Sequence, residues 1–120
     1  MASILVMDDE APIRTWLSMA LQSAGYTVLE ASNGREGLRV YRQRPADLVM
    51  VDLLMPELNG LDTIMELTRE FLDVKVIAIS GLAADHDMLK TARLLGARQT
   101  LHKPFGMEEL LKAVRYELAH

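Results

Sequence analysis

The stretch SILVMDDEAPIR, residues 3–14, joins a strand-like apolar run to three consecutive acids and then to the start of a helical pattern. Carboxylates that crowd at the end of a buried strand repel one another and are costly to remove from water. Asp8, Asp9 and Glu10 therefore need a positive partner if their side chains lie together. The alternative interpretation is that they only cap the positive end of the following helix.

The rest of the chain repeats this order of a short apolar run followed by a helical period. Strands are predicted at residues 3–7, 27–31, 47–51, 75–79 and 99–102. Helices are predicted at about 12–24, 34–42, 61–71, 85–95 and 107–118. The runs at 48–51 and 76–79 are continuously apolar, which is typical of parallel strands buried on both faces. Five β-then-α units predict an α/β fold in which helices cover both faces of an open parallel sheet.

Length and composition favour a single domain over residues 1–120. The chain has a net charge of -4, half of its residues are hydrophobic, and it contains no cysteine. Such a chain can form one core without disulfides, a zinc cluster or a thiol nucleophile. The acidic balance argues against direct nucleic-acid binding, and no apolar run approaches the length that spans a membrane. The sequence therefore predicts a cytoplasmic protein without direct contact to nucleic acid or membrane.

Polar side chains that suit phosphate or metal follow four of the five predicted strands. The first strand is followed by the three acids, the third by Asp52, the fourth by Ser80, and the fifth by Lys103 and Pro104. In open parallel sheets the functional cleft lies beyond the carboxyl ends of the strands. We therefore expect these side chains to meet at one edge of the sheet.

The residue types at this edge predict phosphoryl chemistry assisted by a divalent cation. Mg²⁺ prefers oxygen ligands, so Asp9 and Asp52 are candidate direct ligands and Asp8 a direct or water-mediated one. The ion would also offset the repulsion among the acids. Lys103 could pair with Asp52 or with an added phosphoryl group, and Ser80 offers a hydroxyl donor. An aspartate in this setting can attack phosphorus and form an acyl phosphate.

The segments LVMDDE, LVMVDLLMPELNG, VIAISG and GARQTLHKPF resemble the signature segments of response-regulator receiver domains of two-component signalling, and the resemblance covers the whole chain. It implies a three-layer αβα, flavodoxin-like fold with five helices and strand order 2-1-3-4-5. It implies that Asp52 is the phosphorylated aspartate and that Asp8 and Asp9 are the acidic pair that binds Mg²⁺ or Mn²⁺. The backbone carbonyl of Leu54 would be a further metal ligand. Ser80, Lys103 and a cis Pro104 would complete the site.

The same resemblance implies partners and a mode of action. The phosphoryl donor would be a histidine kinase or a histidine phosphotransfer protein, and phosphorylation would switch a surface for an unidentified downstream protein or effector domain. The domain would promote its own phosphorylation and dephosphorylation without being an enzyme. Ser80 and Thr100 would take part in switching, but Thr100 stands where the family usually has Tyr or Phe. Leu54 and Leu82 stand where the family tunes water access, which predicts slow loss of the phosphoryl group.

Two other functions remain open from the residues alone. A phosphohydrolase related to the haloacid-dehalogenase-like phosphatases would use Asp52 as nucleophile, but it needs a second acid at the place of Leu54. A receiver-like interaction module that signals without phosphate is the other alternative, and Thr100 is the feature that favours it. Trp16 lies on the apolar face of the first helix and is predicted to be a core residue. His86, beside two aspartates at a helix start, is predicted to be solvated, not to bind metal.

Overall fold

Each of the five apolar runs forms a strand, and each strand is followed by a helix. The computed structural model describes residues 1–55, 57–81 and 86–120, without the side chain of His86. The strands are β1 (Ser3–Met7), β2 (Thr27–Ala31), β3 (Leu48–Asp52), β4 (Val76–Ser80) and β5 (Gln99–His102). The helices are α1 (Ala11–Ser23), α2 (Gly34–Gln43), α3 (Gly60–Glu70), α4 (His86–Leu95) and α5 (Met107–Ala119).

The five strands form one parallel sheet in the order β2-β1-β3-β4-β5. All residues of β3 and β4 are buried, because helices cover both faces of the sheet. Alternate residues of a strand point to opposite faces, so the sheet divides the core into two parts. One part packs under α2, α3 and α4, and the other under α1 and α5. The predicted fold class and strand order are therefore confirmed.

The observed boundaries differ from the predicted ones by a residue or two. Strands β3 and β4 begin and end one residue later than predicted, so Asp52 and Ser80 are the last residues of the strands themselves. The ladder continues through them because backbone pairing does not depend on side-chain polarity: Asp52 pairs with Ile79, and Ser80 pairs with His102. The predicted start of the fourth helix at residue 85, like Leu82, lies outside the described residues.

One prediction about the core is wrong. Trp16 is 40% exposed, although Leu17 and Leu21 on the same helix are fully buried. Trp16 lies at the border of the apolar face of α1, where its ring meets that of Phe105 edge to face with 5.9 Å between centroids. Helical periodicity correctly identified the buried face of α1, but it could not show that packing leaves this border partly uncovered.

Gly60 fixes the approach of α3 to the end of β3. A side-chain carbon on Gly60 would collide with the backbone of Asp52 and Leu53. The Gly60 N–H donates to the Leu53 carbonyl over 3.2 Å, and the Asn59 side chain accepts from the N–H of Asp62 to cap the helix. This close packing of backbone on backbone holds the last residue of β3 beneath the loop that leads to α3.

Candidate functional site

The carboxyl ends of the central strands bring four predicted site residues together. Asp8 follows β1 directly, Asp52 ends β3, Ser80 ends β4, and Lys103 follows β5. Asp52 is 2% exposed, and Asp8 and Ser80 are fully buried. The Lys103 N–H donates to the Ser80 carbonyl over 2.8 Å, which extends the β4–β5 ladder as far as the lysine. The parallel topology itself therefore places these side chains at one edge of the sheet.

Lys103 is the centre of the charge cluster. Its Nζ lies 3.0 Å from Glu10 Oε1, 3.2 Å from Asp8 Oδ2 and 3.4 Å from Asp52 Oδ2. Burial acts to lower the pKa of Lys103, but the hydrogen bond to Glu10 and the charges of Asp52 and Asp8 outweigh it and raise that pKa to about 12. Lys103 therefore stays protonated at neutral pH and supplies a fixed positive charge beside Asp52.

Asp52 has an unusual protonation equilibrium for an aspartate. Burial raises its pKa, the charge of Asp8 raises it further, and the pKa reaches about 6. The N–H of Leu54, which donates to Asp52 Oδ1 over 3.1 Å, and the ammonium of Lys103 act in the opposite direction. The positive groups around Asp52 therefore compensate only partly for its removal from water.

The cluster fits a divalent cation. Asp8, Glu10 and Asp52 each offer a carboxylate oxygen within 4.8 Å of the others, yet the ammonium of Lys103 is the only positive group that contacts all three in the described part of the chain. Asp8 Oδ2 is buried, and its contact with Lys103 is an ion pair that lacks the alignment of a hydrogen bond. Carboxylate oxygens with excess negative charge, here two buried groups and the exposed Glu10, are the donor set that Mg²⁺ or Mn²⁺ takes.

Ser80 contributes an unused donor. Its Oγ is buried and has no hydrogen-bond partner among the described residues. A buried hydroxyl without a partner costs free energy, since it has given up its hydrogen bonds to water. A group with acceptor oxygens at this edge of the sheet would therefore gain a hydrogen bond that none of the described residues makes with Ser80.

The remaining predicted site residues lie around this cluster. Asp9 is exposed and lies outside the group of three carboxylates; it lines a shallow depression together with Leu54. The Lys103–Pro104 peptide bond is cis. Thr100 lies on β5 away from the cluster, and its Oγ1 accepts a hydrogen bond of 3.1 Å from the Arg93 guanidinium of α4.

Sequence reasoning did not single out Glu10 as a partner of Lys103. The structure brings Glu10 and Lys103 together because Glu10 is the N-cap residue of α1, where the chain turns from the end of β1 into the helix. Arg14 stabilises this turn, since its guanidinium donates to the Asp8 carbonyl over 2.6 Å and pairs with Glu30 at 3.1 Å. The one available signal in the sequence was the position of Glu10 directly after the two aspartates.

The fold and the cluster together define a class of protein. This is a doubly wound α/β domain whose strand ends gather buried carboxylates, a hydroxyl and a lysine in an arrangement suited to a cation and a phosphoryl group. The family model of the response regulator receiver domain matches residues 4–115. The chain belongs to this family.

Individual relatives agree with this assignment. The chain is 33% identical to the chemotaxis protein CheY of Thermotoga maritima, over 92% of both chains. It is 39% identical to a probable transcriptional regulator ycf27 of Porphyridium aerugineum, over 93% of this chain and 46% of that protein. The receiver domain structure from Clostridium thermocellum superposes with a TM-score of 0.93 at 33% identity and covers 99% of this chain and 95% of that one.

These matches establish what kind of domain this is. It is a phosphoacceptor receiver domain of two-component signalling, a signalling domain and not a classical enzyme. The chain spans about half the length of several of the relatives it matches, ycf27 among them. In the described ranges of the chain, no helix combines the length and apolar character needed to cross a membrane. The comparisons favour neither the phosphohydrolase nor the phosphate-independent module.

Proposed function

We propose that Asp52 is the phosphoacceptor, and that it takes a phosphoryl group from a histidine kinase or a histidine phosphotransfer protein. The observation that supports this most directly is a buried aspartate at a strand end with a lysine ammonium 3.4 Å away. In the next strand lies a buried serine hydroxyl that has no hydrogen-bond partner within residues 1–55, 57–81 and 86–120. An Asp52 oxygen forms the new bond to phosphorus as the bond between phosphorus and the donor nitrogen breaks. The donor nitrogen retains the electron pair.

Lys103 and Ser80 have distinct tasks in this proposal. The ammonium of Lys103 neutralises charge on the equatorial oxygens of the phosphoryl group, and the Ser80 hydroxyl donates to one of them. The backbone N–H of Leu54 already points at Asp52 Oδ1 and is placed to donate to the same group. Positioning and charge neutralisation are the main requirements of phosphoryl transfer, and these side chains supply both.

Asp8, Asp9, Asp52 and the backbone carbonyl of Leu54 are the proposed ligands of a Mg²⁺ or Mn²⁺ ion. Glu10, which the structure adds to the group, is 3.0 Å from Lys103 and competes with Asp52 for the same ammonium. A bound divalent ion would supply further neutralisation of the phosphoryl oxygens. It would also relieve the excess of carboxylates over ammonium groups in the resting site.

Phosphorylation would act on partners through Ser80 and the neighbouring elements. A hydrogen bond to a charged group contributes about 1.5–3 kcal/mol, which is enough to shift a two-state equilibrium by one to two orders of magnitude. The Arg93–Thr100 hydrogen bond links α4 to β5 where the family usually has an aromatic side chain. We infer that this polar contact transmits the change to an unidentified downstream protein. Residues 1–120 as one domain, a cytoplasmic location and the absence of nucleic-acid contact stay predictions.

The direct test uses the purified protein, Mg²⁺ and acetyl phosphate. Intact mass spectrometry is expected to show a gain of one phosphoryl group that survives acid and is lost in base. Asp52→Asn should abolish the gain, whereas Asp73→Asn, which removes an exposed acid at the opposite end of the sheet, should retain it. Modification of the Asp52→Asn protein to the same extent would contradict the proposal.

A further inference from the structure

An apolar recess opens beside the candidate site. It has a volume of about 530 Å³ and is formed by the start of α1 and the segment that follows β5. Its main apolar walls are Pro12, Ile13, Trp16 and Phe105, and its charged lining consists of Glu10 and Lys103. Sites for small ligands are concave, mostly apolar and about 300–1,000 Å³ in volume, with a few polar groups. The recess has each of these properties.

Two aromatic rings give the recess its shape. The rings of Trp16 and Phe105 meet edge to face, and both residues line the recess. Trp16 is 40% exposed even though it follows the buried pattern of α1, so a large apolar ring is left partly in water. Covering that ring with an apolar group would be favourable by the area removed from water.

Lys103 connects the recess to Asp52. The lysine lines the recess, and its Nζ lies 3.4 Å from Asp52 Oδ2. A molecule with an apolar body in the recess and an anionic phosphoryl group at Lys103 would therefore bring that phosphoryl group next to the nucleophile. Glu10 also lines the recess, but its carboxylate is paired with Lys103 and half exposed, so it can turn into solvent when an anion arrives.

We propose that this recess binds the apolar leaving group of small acyl phosphates, so that aromatic acyl phosphates such as benzoyl phosphate donate directly to Asp52. The proposal rests on the proposed function of Asp52 and names a class of donor for it. An Asp52 oxygen bonds to phosphorus while the bond from phosphorus to the acyl oxygen breaks. The aromatic carboxylate leaves with the electron pair. No proton transfer, oxidant or reductant is required.

The test compares two donors in three proteins. Initial rates of phosphorylation by benzoyl phosphate and by acetyl phosphate are measured by intact mass in the wild-type protein, Trp16→Ala and Met19→Ala. The ratio of the two rates cancels any effect on Asp52 that both donors share. Met19 is the matched control, since it is an apolar residue of α1 that is 65% exposed and does not line the recess. Trp16→Ala should lower the ratio about tenfold, and Met19→Ala should leave it unchanged.

A binding measurement keeps the proposal testable even if Trp16→Ala folds poorly. Trp16 is the one tryptophan of the chain, so its emission reports on the recess in the wild-type protein. Phenylphosphonate, which cannot transfer its phosphorus group, should change the emission with saturation. Methylphosphonate should have no such effect at the same concentrations. Asp52→Asn should retain the response to phenylphosphonate, since the proposal places the aromatic ring in the recess and not at Asp52.

The outcomes separate the two proposals. If acetyl phosphate modifies Asp52, but the donor ratio is the same in all three proteins or phenylphosphonate leaves the emission unchanged, the recess proposal is overturned while the phosphoacceptor proposal stands. If neither donor modifies the protein, the proposed function of Asp52 is overturned, and the donor class with it. A lowered ratio in Trp16→Ala alone, together with the saturable emission change, supports the recess as the leaving-group site.

Discussion

Replacing Asp52 with asparagine should stabilise the protein when no divalent cation is present. The pKa of Asp52 is about 6 in the folded chain and 3.8 in the ordinary case, so the folded state holds its proton more tightly than the unfolded one. The folded state therefore binds more protons between these two values, and the free energy of unfolding falls as pH rises through that window. A difference of about two pKa units corresponds to about 3 kcal/mol above pH 6.

This cost is already net of the attraction to Lys103, which acts to lower the pKa of Asp52, and asparagine resembles the neutral form of the carboxyl group. We therefore expect a net gain of about 1–3 kcal/mol, which is about 4–12 °C in melting temperature for a domain of this size. The gain should shrink as pH falls towards 4, because Asp52 is then protonated in the folded wild-type protein and becomes partly protonated in the unfolded one. Added Mg²⁺ should raise the melting temperature of the wild-type protein more than that of the variant.

The assay is thermal unfolding followed by circular dichroism at several pH values, with a chelator or with Mg²⁺. Asp73→Asn serves as the control, since it changes the net charge equally at an exposed position far from the cluster. A wild-type protein that is at least as stable as Asp52→Asn at pH 7.5 in chelator would refute the reasoning. So would a difference between the two proteins that does not change with pH.

Three further predictions follow from the same geometry. The rate of phosphorylation by acetyl phosphate at low Mg²⁺ should fall as pH drops through about 6, because the protonated carboxyl group of Asp52 is not a nucleophile. A rate that stays constant down to about pH 5 would argue against the raised pKa of Asp52. Leu54→Asn should shorten the lifetime of the phosphoprotein, because Leu54 is a partly exposed apolar side chain beside Asp52 and helps to exclude water. The lifetime is measured by intact mass after the donor is removed, and an unchanged or longer lifetime would count against water exclusion by Leu54. Gly60→Ala should lower the free energy of unfolding in urea by about 1–3 kcal/mol, because its new methyl group meets the Asp52 and Leu53 backbone. Gly106→Ala should lower it by less, because its methyl group meets nothing within 4 Å and only the N-cap preference of α5 is affected; equal losses in the two variants would count against the clash.

The sequence alone predicted the fold because local and long-range signals agree. The alternation of apolar runs with helical periods leaves few topologies, and a right-handed parallel arrangement buries both faces of β3 and β4. The same logic placed Asp8, Asp52, Ser80 and Lys103 together, since the ends of parallel strands must share an edge. Strand order itself came from the resemblance to receiver domains, since periodicity carries no information on which strands are neighbours.

The contacts that prediction missed depend on how side chains turn in three dimensions. Glu10 and Asp9 are adjacent in the sequence, yet Glu10 contacts Lys103 and Asp9 points into a different depression. The backbone conformation at the start of α1 decides which of the two side chains turns towards Lys103. The spacing of residues in the sequence does not specify that conformation. Trp16 was misplaced for a related reason, since a helical period defines the direction of a face but not the width of the surface that covers it.

The crowding of carboxylates that makes the resting site less stable is the same arrangement that favours its proposed reaction. Three carboxylates share one ammonium, so each contact of Lys103 with Glu10 or Asp8 weakens its hold on Asp52. A site without the Asp52 carboxylate would be more stable, but it would bind a divalent cation less well and would lack the proposed nucleophile. Burial and the charge of Asp8 together raise the pKa of Asp52, and in the proposed function the same negative charge would attract the divalent cation. Stability and reactivity at this edge of the sheet should accordingly respond in opposite directions when Asp52 is replaced by a neutral residue.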